Sequence, residues 1–405
     1  MLHFQLTILP LSSNGEYNEE ILSFLSHFRQ GANIKTCNLK VLNLCTTIDR
    51  GGAEIQLLAW VKELQKSGCE IVTVPLKGSN ELVDEFSSGN LKVDLSLFKK
   101  NLLIQHFKFR KMVASSDFDV ILLNLYRSEW LNLFANFDKG KIIGIRHSAD
   151  KFIRLLPNFI SSYLARLSTT KQEKTIFISK GLLDWQLERR EVSLNANPKI
   201  VHYGIKENRR DIHRLKSNSN SSLTIGCAGR LVSGKDVKTL IKAVEEITSS
   251  GQKLHLLIAG DGPERRNLEK LVLRLELKPN VKFLGRINDM NNFFDQIDLF
   301  VHPSVREGFG LVVLEAMSRG IPVIAADNTS LPELVHSGFN GYLFKTGSFE
   351  DLAAKIRSLY DDKLRSEMGT NGMQKARREF SIELSSLNLL SIMQERSFPN
   401  INRYK

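Results

Sequence analysis

The 405-residue chain contains no uninterrupted apolar run near the roughly 20 residues that a membrane-crossing helix needs. Its start, MLHFQLTILPLSSNGEY, is apolar but has no lysine or arginine ahead of the apolar stretch, so no signal peptide is expected. Cysteine is scarce. Cys37, Cys45, Cys69 and Cys227 make no CxxC pair and no even framework, and they read as reduced, buried thiols of a cytosolic protein. There is no zinc spacing, RNP-like aromatic strand or basic recognition helix, so nucleic acid is not the expected partner. Nor is there a GxGxxG. Gly260-Asp261-Gly262-Pro263 follows the strand HLLIAG and opens a helix, but a redox dinucleotide reading has no fingerprint behind it.

Acidic residues are outnumbered. The net charge of +12 calls for an anionic partner, which leaves anionic lipid or a phosphorylated small substrate. The length suits two or three domains of about 150 residues each. From Lys40 onward, β-rich runs alternate with helical patterns, as βαβ units do. VLNLCTT, EIVTVPL, DVILLNL, KIIGIRH and KTIFISK are continuously apolar, as strands covered on both faces are. A second alternating series starts at Leu223, and the Asn-, Ser- and Lys-rich stretch before it reads as a linker. The expected fold is α/β, with two Rossmann-like doubly wound domains facing each other across a cleft. The expected boundaries are an extension over 1–39, a first domain over 40–205, a linker over 206–222, a second domain over 223–380, and a C-terminal helix and tail over 381–405.

The densest chemistry lies in EGFGLVVLEAM, directly after the apolar strand Leu299–His302. Gly308 and Gly310 let bare backbone approach a ligand, and a helix starting near Leu311 aims free amides at an anion. Glu307 before the turn and Glu315 inside the helix can accept from hydroxyls on either side of a diphosphate. On spacing alone, a βα unit with two solvated glutamates fits equally well. Arg230 ends another strand, and Lys235 follows it in a Gly-containing loop before a helix. A fork and a mobile point charge at one cleft can neutralise a departing diphosphate, as a metal does elsewhere. The plain alternative is two solvated loop cations. Asp117-Phe118-Asp119 is formally a metal-binding DxD, but it precedes its strand instead of following it, so it reads as a surface cap.

Taken together, TIGCAGRLVSGKDVKTLIKAV, HLLIAGDGPERRNLEKLV, VKFLGRINDMNNFFDQID, the glutamate turn and SRGIPVIAADNTSLPELVHSGFNGYLF resemble the retaining GT-B glycosyltransferases of the GT4, or group 1, type. The resemblance covers roughly residues 40–380 and is dense from Thr224 to Phe344. It implies transfer of a sugar from a nucleotide diphospho-sugar to a glycan or lipid-linked acceptor, with retention and by a front-face route. No metal and no cofactor are implied. Glu307, His147, Arg230 and Lys235 become the expected catalytic group, with Glu307 on the sugar hydroxyls and Glu315 on the ribose. The expected donor-binding set adds Gly51, Gly52, Asp261, Arg286, Ile287, Gly308, Phe309, Gly310 and Leu311. Here Gly51-Gly52 match the family's first-domain GGAE loop, and His147 ends the strand KIIGIRH near the transferred sugar. Arg286 and Ile287 fall where the family lines the nucleobase.

The family often has two glycines where this chain has Thr329-Ser330, and a glycine where it has Asp236, which would serve as an N-cap. Two other readings stay open: another GT-B enzyme, such as a nucleotide-sugar epimerase or a phosphorylase, or a catalytically silent glycan- or nucleotide-binding protein.

One stretch lies outside that site. LSLFKKNLLIQHFKFRKMVASS sets Lys99, Lys100, Lys108, Arg110 and Lys111 among apolar residues, with no acidic residue between Asp94 and Asp117. Such a basic amphipathic helix suits an anionic membrane face, and a plain solvated helix on the sheet fits nearly as well. A cytoplasmic protein on the inner face of the membrane is the expectation.

Overall fold

Every residue of the strand β1 (Lys40–Cys45) after Lys40 is buried, because helices cover both faces of the sheet it sits in. The computed structural model describes residues 37–395 apart from 90, 134–141, 150–151, 154–155, 194, 207–221 and 288. The expected extension up to residue 36, almost all of the expected linker and the tail from 396 lie outside the described residues.

The first sheet adds β2 (Glu70–Pro75), β3 (Lys92–Val93), β4 (Val120–Asn124), β5 (Ile142–Arg146), β6 (Lys174–Phe177) and β7 (Pro198–Ile200). Their order is β3-β2-β1-β4-β5-β6-β7. The second sheet has β8 (Leu223–Ala228), β9 (Leu254–Ala259), β10 (Val281–Gly285), β11 (Leu299–His302), β12 (Val323–Ala326) and β13 (Gly341–Phe344), in the order β10-β9-β8-β11-β12-β13. Pairing is parallel throughout the two sheets. Two Rossmann-like domains result, as the apolar runs implied. The strand order reverses between β1 and β4 and again between β8 and β11, so each sheet opens a crevice at the carboxyl ends of those strands.

The last two helices join the halves. Asp362–Glu379 packs in the second domain, and Ile382–Gln394 returns to the first, against the helix Gly52–Lys66. Trp60 Nε1 donates to Ser385 Oγ at 2.7 Å, and Lys174 Nζ donates to the carbonyls of Ile392 and Glu395 at 2.8 and 2.7 Å. Where the two connections cross, Ile205 N–H donates to Phe380 O and Ile382 N–H to Ile205 O, each at 2.9 Å. Gly204 is held to glycine there, since a Cβ would sit 2.5 Å from Ser381 O.

Candidate active site

The carboxyl ends of both sheets border one cavity of about 1030 Å³ between the domains. Two helices begin on opposite sides of it. Gly52–Lys66 starts behind Gly51, and Leu311–Ser318 starts behind Gly310, whose φ of 98° is one that only glycine adopts freely. A Cβ on Gly52 would lie 3.3 Å from Leu311 Cδ1, so the two helix starts nearly meet. Their free amides and dipoles make this end of the cleft attractive to an anion.

Lys235 closes a short 3₁₀ turn, Ser233–Lys235, after β8, and Glu307 follows β11, the neighbouring strand. Lys235 Nζ meets Glu307 Oε2 at 2.5 Å. His302, the last residue of β11, places Nε2 2.9 Å from the same oxygen. Burial alone would raise the Glu307 carboxyl, but the charge of Lys235 and the His302 hydrogen bond outweigh it and hold the carboxyl well below its ordinary range. Burial lowers the His302 imidazole, and the bond to Glu307 only partly offsets that. Arg230 lies at the same cavity wall with its side chain exposed. A cationic, metal-like patch facing two helix starts is what a diphosphate requires.

Glu315 lines the cavity one turn further, and burial raises its carboxyl despite the nearby charge of Arg319. Arg319 spans this end, donating to Glu315 O at 2.8 Å and Asn291 Oδ1 at 2.6 Å. Asp289, Met290, Asn291 and Arg319 line this wall, and none of them was expected from the sequence. The expected donor residues Gly51, Asp261, Arg286 and Ile287 are not among the lining residues. Asp261 instead turns to Arg265, at 3.2 Å, and to the N–H of Gly262. Arg286 is exposed.

His147 lines the first-domain side. Tyr203 Oη lies 2.6 Å from its Nδ1, and Asn124 Oδ1 lies 2.9 Å from its Nε2. Burial pulls this imidazole down to about 3, so it is neutral. A neutral ring accepting from Tyr203 and donating to Asn124 has no nitrogen left over. A hydrogen bond from His147 to a sugar hydroxyl would need one of these partners to release it. Asn124 Nδ2 continues the chain to Asn43 Oδ1 at 2.7 Å, and Asn43 to Thr73 Oγ1 at 3.1 Å, so the ring is fixed from behind.

Gly308 and Phe309 of the glutamate turn line the cavity and also serve the domain contact. A Cβ on Gly308 would lie 2.8 Å from His147 O, so bare backbone is needed to let the domains approach. Phe309 is buried, its ring packed against Tyr203, His202 and Phe380. The departure at Thr329-Ser330 has a role of its own. Glu307 N–H donates to Thr329 Oγ1, and Ser330 Oγ donates to Glu307 O, each at 3.2 Å. Asp236 does stand at the N-cap of Val237–Ser249, in the left-handed region (φ 45°) where a glycine would be unstrained. Its carboxylate accepts from Thr239 Oγ1 at 2.7 Å, not from a backbone amide.

Asp119 Oδ2 accepts from Lys40 N–H at 2.9 Å, at the outer end of β1 and away from the cleft. Among the described residues, no cluster of three or more His, Cys, Asp or Glu could hold a metal ion. The basic stretch is shorter than its composition suggests. The helix runs over Leu102–Ala114, with Asn101 Oδ1 accepting from Ile104 N–H, so Lys99 and Lys100 precede it. Lys99 takes a left-handed φ of 51°. Phe109 is buried against the sheet, whereas Leu103 and Phe107 are 72% and 67% exposed beside Lys108, Arg110 and Lys111. None of the described helices is long and apolar enough to cross a membrane.

Residues 208–375 match the family model of "Glycosyl transferases group 1". The "Capsular polysaccharide biosynthesis glycosyltransferase CapM" of Staphylococcus aureus is 32% identical over 167 residues, 41% of this chain and 44% of that protein. The "GDP-mannose-dependent monoacylated alpha-(1-6)-phosphatidylinositol monomannoside mannosyltransferase" of Corynebacterium glutamicum is 32% identical over 186 residues, 44% of this chain and 48% of that protein. The chain thus spans about half the length of these curated relatives. Anabaena Alr3699/HepE, solved in complex with UDP and glucose, superposes with a TM-score of 0.73 at 21% identity, covering 88% of this chain and 99% of that one, a likeness of fold. Residues 208–375 thus resemble the group 1 glycosyl transferases, and the chain has the two-domain GT-B fold of its solved neighbours.

Proposed function

We propose that the protein is a retaining glycosyltransferase that moves a sugar from a nucleotide diphospho-sugar to a glycan or lipid-linked acceptor. Cell-surface polysaccharide or glycolipid synthesis is the setting we assign, at the inner face of the membrane. The observation that carries the reading is the Lys235–Glu307 pair with Arg230, placed where the helix starts at Gly52 and Leu311 converge. The names of the relatives, a capsular glycosyltransferase and a GDP-mannose-dependent mannosyltransferase, support it, as does the UDP and glucose held by the Anabaena neighbour.

In this reading the donor diphosphate lies between Arg230, Lys235 and the amides at Gly310–Leu311. These groups stabilise the charge that develops as the glycosidic bond breaks. Glu307 holds sugar hydroxyls, and Glu315, with Arg319 and Asn291 beside it, faces the nucleoside. The departing phosphate helps to deprotonate the acceptor hydroxyl on the same face of the sugar. The fixed cations and helix dipoles do this work without a metal. His147 closes the sugar side as a neutral wall held by Tyr203 and Asn124.

The test is a panel of UDP-, GDP- and ADP-sugars screened by thermal shift, since a bound donor stabilises the native state according to its affinity. The stabilising donor is then incubated with candidate acceptors. Transfer with retained anomeric configuration, and nucleoside diphosphate release that depends on acceptor, is the expected result. Release without acceptor and with inversion at a ring carbon would identify an epimerase. Turnover only with inorganic phosphate would identify a phosphorylase, and binding with no turnover a silent binding protein.

A further inference from the structure

One oxygen of Glu307 takes both of its donors. Lys235 Nζ and His302 Nε2 lie 2.5 and 2.9 Å from Oε2. The Glu307 backbone is pinned separately by Thr329 and Ser330, so the direction of the carboxylate depends on these two side chains. They are not equivalent. The Lys235 side chain is 27% exposed, on a flexible stem in a loop, and lies beside the space where an anion would sit. The His302 side chain is 2% exposed at the end of β11, stacked on Phe300 with the rings at 20°.

We propose that His302 is the positioning residue that keeps Glu307 ionised and aimed while Lys235 turns to the donor diphosphate. This rests on the donor-binding reading given above. Lys235 cannot fully serve the carboxylate and a diphosphate at once, and a lysine drawn to the anion leaves a largely buried carboxylate short of one donor. Such a group is costly to leave unpaired and would otherwise take up a proton. His302 prevents that without adding a competing charge. Its Nδ1 is buried with no partner among the described residues, so the ring's single proton belongs on Nε2, directed at Glu307. Glu307 Oε1 is then left for a sugar hydroxyl. The arrangement divides the labour: a mobile cation for the leaving group and a fixed neutral donor for the carboxylate that holds the sugar.

The test compares His302→Leu and His302→Phe, which remove the donor, with His302→Gln, whose amide can still donate. The Phe variant keeps a ring on Phe300, and so covers the case in which the Leu variant fails to fold. Steady-state kinetics with the stabilising nucleotide-sugar should show kcat falling about tenfold or more in the donor-less variants. The donor KM should stay within about threefold, because Arg230 and Lys235 still hold the diphosphate. The Gln variant should recover most of the lost kcat. Donor-less variants within about twofold of the parent kcat, or a Gln variant as slow as Phe, would overturn the inference. Lys235→Ala and Glu307→Gln run alongside separate the two levels. If both keep parental activity, the donor site itself is wrongly placed and the inference falls with it. If both are inactive while His302→Phe is normal, only the role of His302 fails.

Discussion

The Glu333 carboxylate of the second domain caps the helix that begins at Lys180 in the first. Its Oε2 accepts from Lys180 N–H at 3.0 Å, and its Oε1 accepts from Gly181 N–H at 2.8 Å. His202 Nε2 adds a third contact at 2.8 Å. The next amide, Leu182 N–H, is taken by Ser179 Oγ, which in turn donates to Gly308 O at 2.8 Å. Ser179 is the local N-cap, and Glu333 adds a second cap from across the domain junction, which ties helix geometry to cleft closure. Gly181 must be glycine for this, since a Cβ would meet Thr329 O at 2.0 Å.

Glu333→Ala should therefore loosen the closed arrangement. A charged cap with backbone donors is worth about 1–2 kcal/mol, so the thermal midpoint should fall by several degrees. Small-angle scattering should report a larger radius of gyration, and the donor KM should rise. Glu333→Gln, which keeps one acceptor oxygen, should lie between. An Ala variant with unchanged scattering and KM would mean that the cap follows closure and does not hold it.

Arg230→Ala and Lys235→Ala should each lower turnover by roughly 100-fold, the usual cost of removing one charge-stabilising donor. Arg230→Ala should fold close to normally, because that side chain is exposed at the cavity edge, whereas Lys235→Ala also removes the charge facing the largely buried Glu307 and should cost some stability. Rates within a few-fold of the parent for both variants would place the diphosphate elsewhere.

The fixed cations also predict tolerance to chelation. Activity should survive exhaustive dialysis against EDTA, with no gain on adding manganese or magnesium. Loss restored by either metal would show that a divalent ion, not Arg230 and Lys235 alone, carries the leaving group.

The buried, neutral His147 gives a pH dependence of stability. Its folded-state value lies near 3, below the ordinary one for histidine, so its contribution is complete above about pH 6.5. Below that, the unfolded chain binds a proton that the folded state refuses, and stability drops as pH falls toward 3. Between about pH 7 and about pH 5 the loss should be about 2 kcal/mol. Denaturant titrations at those two values should show it, and His147→Asn should reduce the difference. A parent protein as stable at the lower pH as at the higher would contradict the buried neutral ring.

The exposed pair Leu103 and Phe107, flanked by Lys108, Arg110 and Lys111, sharpens the membrane expectation. Each cation near an anionic surface contributes about 1 kcal/mol, screened by salt. The protein should co-sediment with phosphatidylglycerol vesicles, much less with neutral ones, and come off at high salt. Replacing Lys99, Lys100, Lys108 and Lys111 by glutamine should abolish binding without changing donor affinity. Equal partition to both vesicle types, or to neither, would return the helix to an ordinary solvated one.

Much of the architecture is legible in the order of the amino acids. Five first-sheet strands are readable because burial on both faces leaves a continuous apolar run, whereas β3 and β7, with two and three residues, are too short to leave one. The glutamate turn and the Arg230–Lys235 loop are readable because glycine and charge are needed there locally. His302 is visible as a polar end to the apolar strand Leu299–His302, but its partner is not. The basic stretch reads as a longer helix than it forms, because composition does not show that Asn101 starts the helix and that Lys99 turns the chain ahead of it.

Chain order and local pattern thus determined the two sheets, the cleft between them and the neighbourhood of the Lys235–Glu307 pair. These are properties of short segments, of what each must bury and which backbone angles it must reach. Only tertiary structure decided that Glu333 meets Lys180, that both nitrogens of His147 are occupied, that Gly308 and Phe309 serve the domain junction, and that Asn291 and Arg319 wall the cavity while Asp261 turns away. Each of these depends on distant side chains brought within hydrogen-bond or van der Waals reach by the packing of two domains. No local period or motif encodes that distance.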